Sequence, residues 1–309
     1  MSIITTSGLT MQFGAQRALD SLNVDVQSGV TGLVGANGAG KTTLMSLVLG
    51  LRAPTAGQAS VLGYDSQTQG AQLRAQIGYG PERNVVPEDM PASEFVKHMA
   101  EVRGMPRNEA RGRASDALWL VGLGEERARA LGTMSTGQRQ RVKLAQAIAS
   151  DPALLLLDEP TDGLDPVQRD EMLSLIRQVS REYGIDVVLT SHLLEEVERI
   201  CDHIVALDAG QLVAQGRLED LVGDEQGVVV EVAEVADQPG AFDDVVSRLS
   251  RSGLEVRHGE VESRMEVIGP DADLVADRVR DAVAGANARV VRIERRRRRL
   301  EDLFSVAAS

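Results

Sequence analysis

The stretch Gly35–Thr42 reads GANGAGKT, with the apolar residues Val30, Leu33 and Val34 before it and Leu44, Met45, Leu47, Val48 and Leu49 after it. The leading run is strand-like and the trailing one has helical spacing that stops at Gly50, so a strand passes into a helix through a glycine loop. The loop satisfies G-x-x-x-x-G-K-[ST] in the strand-to-helix setting that this motif needs. Gly35, Gly38 and Gly40 let backbone N–H groups close around phosphate oxygens, and the start of the helix adds a favourable dipole. Lys41 supplies a point charge for the terminal phosphates and Thr42 a hydroxyl for Mg²⁺, while Asn37, Ala39 and Thr43 complete the set assigned to phosphate binding.

Further along, Leu154–Pro160 reads LLLLDEP and places two carboxylates at the end of an apolar strand. Beside a phosphate loop, Asp158 is suited to hold the metal, and Glu159 to orient and activate an attacking water, because phosphoryl transfer depends mainly on positioning and charge stabilisation. A helix over about 166–183 and a second unalternated run, Val187–Leu189, follow. Apolar runs without alternation, separated by a helix, are what a parallel sheet covered on both faces requires. Short β-like runs between Gly8 and Gly63 predict additional strands, and the Ala-, Glu- and Arg-rich residues from about 87 to 149 predict a helical insertion.

Near Val222 the composition turns rich in Gly, Asp and Glu. Beyond it the pattern predicts a strand at Val228–Val235, a helix at Phe242–Leu249, and strands at Leu254–Val256 and Met265–Ile268. A helix at Leu274–Val283 and a strand at Arg289–Ile293 complete it. That β-α-β-β-α-β order is the split βαβ arrangement. The expectation is two domains, 1–222 and a small α+β accessory domain at 223–309, as a length of 309 residues also suggests.

Forty-six acidic against 33 basic residues leave a formal charge of −13, which disfavours a general nucleic-acid coat, so no nucleic-acid partner is expected. Only Lys41, Lys97 and Lys143 are lysines, and the lone Cys201 has no internal disulfide partner. No run of about 18–20 apolar residues is present to span a bilayer. The chain reads as cytosolic and unprocessed.

Thr133–Gln146 reads TMSTGQRQRVKLAQ, with Ser135, Gly137 and Gln138 just before a helix. A hydroxyl and free N–H groups at a helix start form a second phosphate-binding device, although the same residues also read as an ordinary N-cap. At this point the chain resembles the ATP-binding cassette (ABC) family from about Leu9 to Gln215. Five motifs carry the resemblance in the family's order: GANGAGKT, the signature-like MSTGQ, LLLLDEP, the D-loop-like TDGLD ending at Asp165, and the switch-like TSH ending at His192.

The resemblance implies a P-loop NTPase core with an antiparallel β subdomain, ATP and Mg²⁺ as ligands, and two cassettes paired head to tail. In such a pair Ser135, Gly137 and Gln138 close over the partner's ATP. Asp165 then lies at the seam, and His192 contacts the γ-phosphate. Phe13 aligns with the aromatic that stacks on adenine, with a core phenylalanine as the alternative. Glu82 in IGYGPE stands where the family usually has a glutamine that senses Mg²⁺, and Met134 and Thr136 replace the usual leucine and first glycine of the signature.

The implied function is the ATP-hydrolysing subunit of a transporter, peripheral on the inner face of the membrane, driving a separate transmembrane permease. Export is favoured by a weaker resemblance of the ending VVRIERRRRRLEDLF to cassettes that serve separate export permeases. A soluble ABC ATPase acting on DNA or ribosomes is the alternative. The run Arg295–Arg299 reads as a solvated or internally paired face, or else as a contact for anionic lipid headgroups.

Overall fold

The computed structural model describes residues 2–82, 86–222, 224–233, 240–259, 263–269, 271–297, 300, 301 and 303. Glu234 and Val235 of the expected strand, and Arg298 and Arg299 of the arginine run, lie outside them. The chain forms two compact units that divide between Leu218 and Glu219.

The first unit opens with β1 (Ser2–Phe13), β2 (Gln16–Leu22) and β3 (Asp25–Gln27), enters β4 (Val30–Val34), and turns through the glycine loop into α1 (Lys41–Val48). The strand pattern thus starts at Ser2, ahead of the Gly8 read from sequence. Gly50, with φ +64°, ends α1 as a left-handed cap: its N–H donates to the Leu47 carbonyl, and the Leu51 N–H to that of Ser46. Next come β5 (Ala56–Val61), β6 (Tyr64–Asp65), α2 (Gly70–Gln76) and β7 (Ile77–Gly80). The helical insertion contains α3 (Ala92–Val102), α4 (Arg107–Leu120) and α5 (Thr136–Ile148). The chain then returns through β8 (Leu154–Leu157), α6 (Pro166–Tyr183), β9 (Asp186–Ser191), α7 (Leu194–Ile200), β10 (His203–Asp208) and β11 (Gln211–Arg217), and the short α8 (Leu218–Leu221) spans the division between the units.

Two sheets result. An antiparallel one is ordered β2-β1-β5-β6 with β3 also paired to β1. The other is ordered β11-β10-β4-β9-β8-β7, and its β10, β4, β9, β8 and β7 run parallel. All of β4 and β8 is buried, which is why their sequences do not alternate. Register fixes the edge that matters: Val34 pairs with Ser191, Leu157 with Leu189, and Gly80 with Leu157. The residues that follow these strands, Gly35, His192, Asp158 and the Pro81–Glu82 turn, therefore leave the sheet at the same carboxyl edge. Ligand sites of open parallel sheets form there.

The second unit contains β12 (Asp224–Ala233), α9 (Ala241–Arg251), β13 (Glu255–His258), β14 (Arg264–Ile268), α10 (Ala272–Gly285) and β15 (Arg289–Arg297). Its antiparallel sheet is ordered β13-β14-β12-β15. Val228, Val230, Met265 and Val267 face α9 and α10 and pack on Val245, Leu249, Val275 and Val279. Within the arginine run, Arg295 pairs with Asp273 at 2.8 Å and Arg296 with Glu266 at 3.0 Å.

Leu156, fully buried in β8, tests how far the site rests on this sheet. Leu156→Ala is expected to lower the free energy of unfolding by about 2–5 kcal/mol in urea titration, with no side chain of the site itself altered.

Candidate nucleotide site

Beyond the carboxyl edge lies a cavity of about 410 Å³. Asn37, Gly38, Gly40, Lys41, Thr42 and Thr43 line one side of it, and Asp158, Glu159, Glu82 and His192 line another, with Phe13 at its margin. Gly35 and Ala39 shape the loop without lining the cavity. At Gly35, with φ +153°, a Cβ would lie 2.2 Å from the Leu207 carbonyl oxygen, and at Gly40, with φ +105°, 2.5 Å from Leu19 Cδ2. Only glycine fits both positions.

Lys41 is buried and turned back on its own loop. Its Nζ donates to the carbonyl of Gly35 at 2.6 Å and that of Ala36 at 3.3 Å, and lies 4.0 Å from Glu159 Oε1. Glu159 adopts φ +46°, a left-handed backbone that a non-glycine residue keeps only when its surroundings impose it. The other carboxylate oxygen, Oε2, is 2.9 Å from His192 Nδ1. The Glu159 carboxylate therefore bridges the loop lysine and the histidine after β9.

Thr190, which the motifs did not single out, organises both acids. Its hydroxyl donates to Asp158 Oδ1 at 2.7 Å and accepts the Glu159 N–H at 2.8 Å. This leaves Asp158, 3% exposed, with its second oxygen uncommitted to Thr190. Gln16, Ala18, Ala36 and Asp162 also line the cavity and were not among the expected residues. Phe13 is 40% exposed with the Arg52 guanidinium 5.4 Å from its ring centre, which overturns the alternative of a packed core phenylalanine.

Behind the acids lies Lys143 of α5. Burial pushes its ammonium down to about 8, against the opposing pull of the Asp158, Asp162 and Glu82 carboxylates. Burial also pushes the Tyr79 phenol up, reinforced by Asp158 and Glu82.

Ser135, Gly137, Gln138 and Asp165 do not line this cavity. Ser135 caps α5 in a reciprocal capping box with Gln138, with contacts of 3.2 and 3.1 Å. Asp165 caps α6 by accepting the Gln168 N–H at 2.8 Å. The two caps are neighbours, since a Cβ on Gly137 would meet Gln168 Oε1 at 2.8 Å. The capping reading of Ser135 thus describes its bonds within one chain, and these residues lie apart from the glycine-loop cavity.

A glycine loop at a helix start, a buried lysine and an acid pair at the end of a parallel strand define a P-loop nucleoside triphosphatase. Residues 19–162 match the ABC transporter family model. Over 215 residues the chain is 35% identical to the bacitracin transport ATP-binding protein BcrA of Bacillus licheniformis, covering 69% of each chain. Over 232 residues it is 33% identical to the Nod factor export ATP-binding protein I of Ralstonia nicotianae, covering 74% of this chain and 72% of that one. The structure of CbiO1 from Clostridium perfringens, part of the ABC transporter complex CbiONQ, superposes with a TM-score of 0.64 at 27% identity, covering 71% of this chain and 90% of that one. The chain belongs to the ABC family and is an ATP-binding, ATP-hydrolysing transporter subunit.

Thr190→Val keeps the shape of the side chain but removes both bonds. It is expected to cost about 1–3 kcal/mol of stability by thermal unfolding, because the Glu159 amide loses its partner. ATPase assays should show the larger effect, a fall in kcat exceeding the rise in KM.

Proposed function

We propose that this subunit hydrolyses MgATP at the cavity between its glycine loop and the Asp158–Glu159 pair, as one half of a head-to-tail dimer that drives a separate export permease. The observation that carries the proposal is the Glu159 carboxylate, held in a strained backbone between Lys41 and His192. Lys41 exchanges its loop carbonyls for the β- and γ-phosphate oxygens, and the loop N–H groups hold the remaining ones. Glu159 accepts a proton from the attacking water, and His192 orients that water and the γ-phosphate. Phe13, exposed at the cavity margin, stacks on the adenine.

Thr42, Asp158 and Glu82 would hold Mg²⁺. Among the described residues no three His, Cys, Asp or Glu side chains cluster as a metal cage. The donor set is instead a hydroxyl, carboxylates and the substrate's own phosphates, which suits Mg²⁺. When bound, Mg²⁺ neutralises charge that develops on the phosphates.

Ser135, Gly137 and Gln138 lie away from this chain's own cavity, which supports a partner cassette as the source of the ATP they cover, with Asp165 beside them at the seam. Among the described residues no helix is long and apolar enough to cross a membrane. The kinship to transport ATP-binding proteins supports a separate permease as the translocation path, with the subunit on the inner face of the membrane. The likeness to the Nod factor export protein supports export as the direction.

Glu159→Gln is expected to keep ATP binding, form an ATP-dependent dimer by light scattering, and lose about 10²–10⁴-fold in turnover. Turnover near wild type in that variant would remove Glu159 from the catalytic role. Co-purification of the tagged chain with a membrane permease, and efflux of a fluorescent drug from cells expressing both, lost with the same variant, tests the export assignment.

A further inference from the structure

On α5, Gln140, Lys143 and Gln146 follow one another at three-residue spacing, share one face, and are all buried. Each sends a side-chain donor to a backbone carbonyl of a different segment. Gln140 Nε2 reaches Asp162 at 3.1 Å, Lys143 Nζ reaches Glu82 at 3.1 Å, and Gln146 Nε2 reaches Tyr79 at 2.6 Å. The first segment follows the Asp158–Glu159 pair, and the other two are β7 and the turn it enters. The helix whose first residues carry the second phosphate device therefore grips the acid loop and the Glu82 turn of the first.

Lys143 is the costly member of this face. It is 6% exposed, does not line the cavity, and is a buried ammonium with one hydrogen bond to the Glu82 carbonyl. A methionine of similar length would avoid its desolvation. Asp158, Asp162 and Glu82, which all line the cavity, act on Lys143 electrostatically and offset part of that cost. From these observations we infer that Lys143 is a positioning residue, which fixes the Glu82 turn to α5 and stands as counter-charge behind the three carboxylates. A displacement of α5 when a second cassette closes on its N-terminus then moves Glu82 with it. The inference rests on the hydrolytic reading proposed for the cavity.

The test uses the full chain with three variants, steady-state MgATP hydrolysis and thermal melting. Lys143→Arg keeps both the charge and the donor, and is expected to retain at least about half of wild-type kcat. Lys143→Met removes both, and is expected to lose about tenfold or more in kcat. Its KM should stay within about threefold and its melting point within about 5 °C of wild type. Lys143→Gln, shorter and uncharged, serves as the second folded variant and should show the same split. Wild-type kcat in Met and Gln variants, a loss carried in KM, or an Arg variant no better than Met would overturn the inference. So would failure of Met and Gln to fold while Arg is fully active, since that assigns Lys143 to stability alone. Glu159→Gln run in parallel separates the two levels. Persistent hydrolysis there defeats the functional reading, whereas silence there with unaffected Lys143 variants defeats only this inference.

Discussion

Everything at the site depends on the register of three parallel strands. With Val34 opposite Ser191 and Leu157 opposite Leu189, the glycine loop, the acid pair and His192 emerge side by side from one edge. A slip of one residue would turn alternate side chains to the other face of the sheet and separate Thr190 from Asp158. Because β4 and β8 are buried on both faces, what opposes a slip is their ends: a shift would draw the Asp158 carboxylate or the glycine loop into the apolar sheet. The packing of the sheet and the placement of the chemistry are one constraint.

On that edge charge is arranged before any substrate arrives. Lys41 donates to a loop carbonyl and faces Glu159, whose second oxygen meets His192. On the proposed reading a triphosphate would offer Lys41 oxygens that carry more charge than a carbonyl, so that its entry would exchange these internal contacts for stronger ones and free Glu159 to meet the water. The cost of the left-handed backbone at Glu159 is borne by the folded sheet and by the Thr190 hydroxyl that holds its amide.

Much of this was legible in the sequence. GANGAGKT and LLLLDEP each pair a residue requirement with a local secondary structure, so one stretch carries both the chemistry and its setting. The C-terminal β-α-β-β-α-β order was readable too, because its strands alternate and its helices are amphipathic, and the 2-3-1-4 sheet order within that unit follows from the split arrangement. The strand His203–Asp208 went unread: a short apolar run gives no period by which to tell it from a loop or a helix. Thr190 was seen only as the first letter of a switch motif, since its two bonds reach across strands to residues more than thirty positions away. The contacts of Gln140, Lys143 and Gln146 are likewise long-range, and no local pattern distinguishes a buried lysine on a helix from a solvated one.

The most direct test of the account is a crystal structure of the Glu159→Gln chain with MgATP. Lys41 Nζ is predicted to leave the Gly35 carbonyl for the β- and γ-phosphates, with the metal on Thr42 and Asp158 and His192 beside the γ-phosphate. A structure in which the phosphates bind away from the glycine loop, or in which Lys41 keeps its loop carbonyls while ATP is bound, would contradict it.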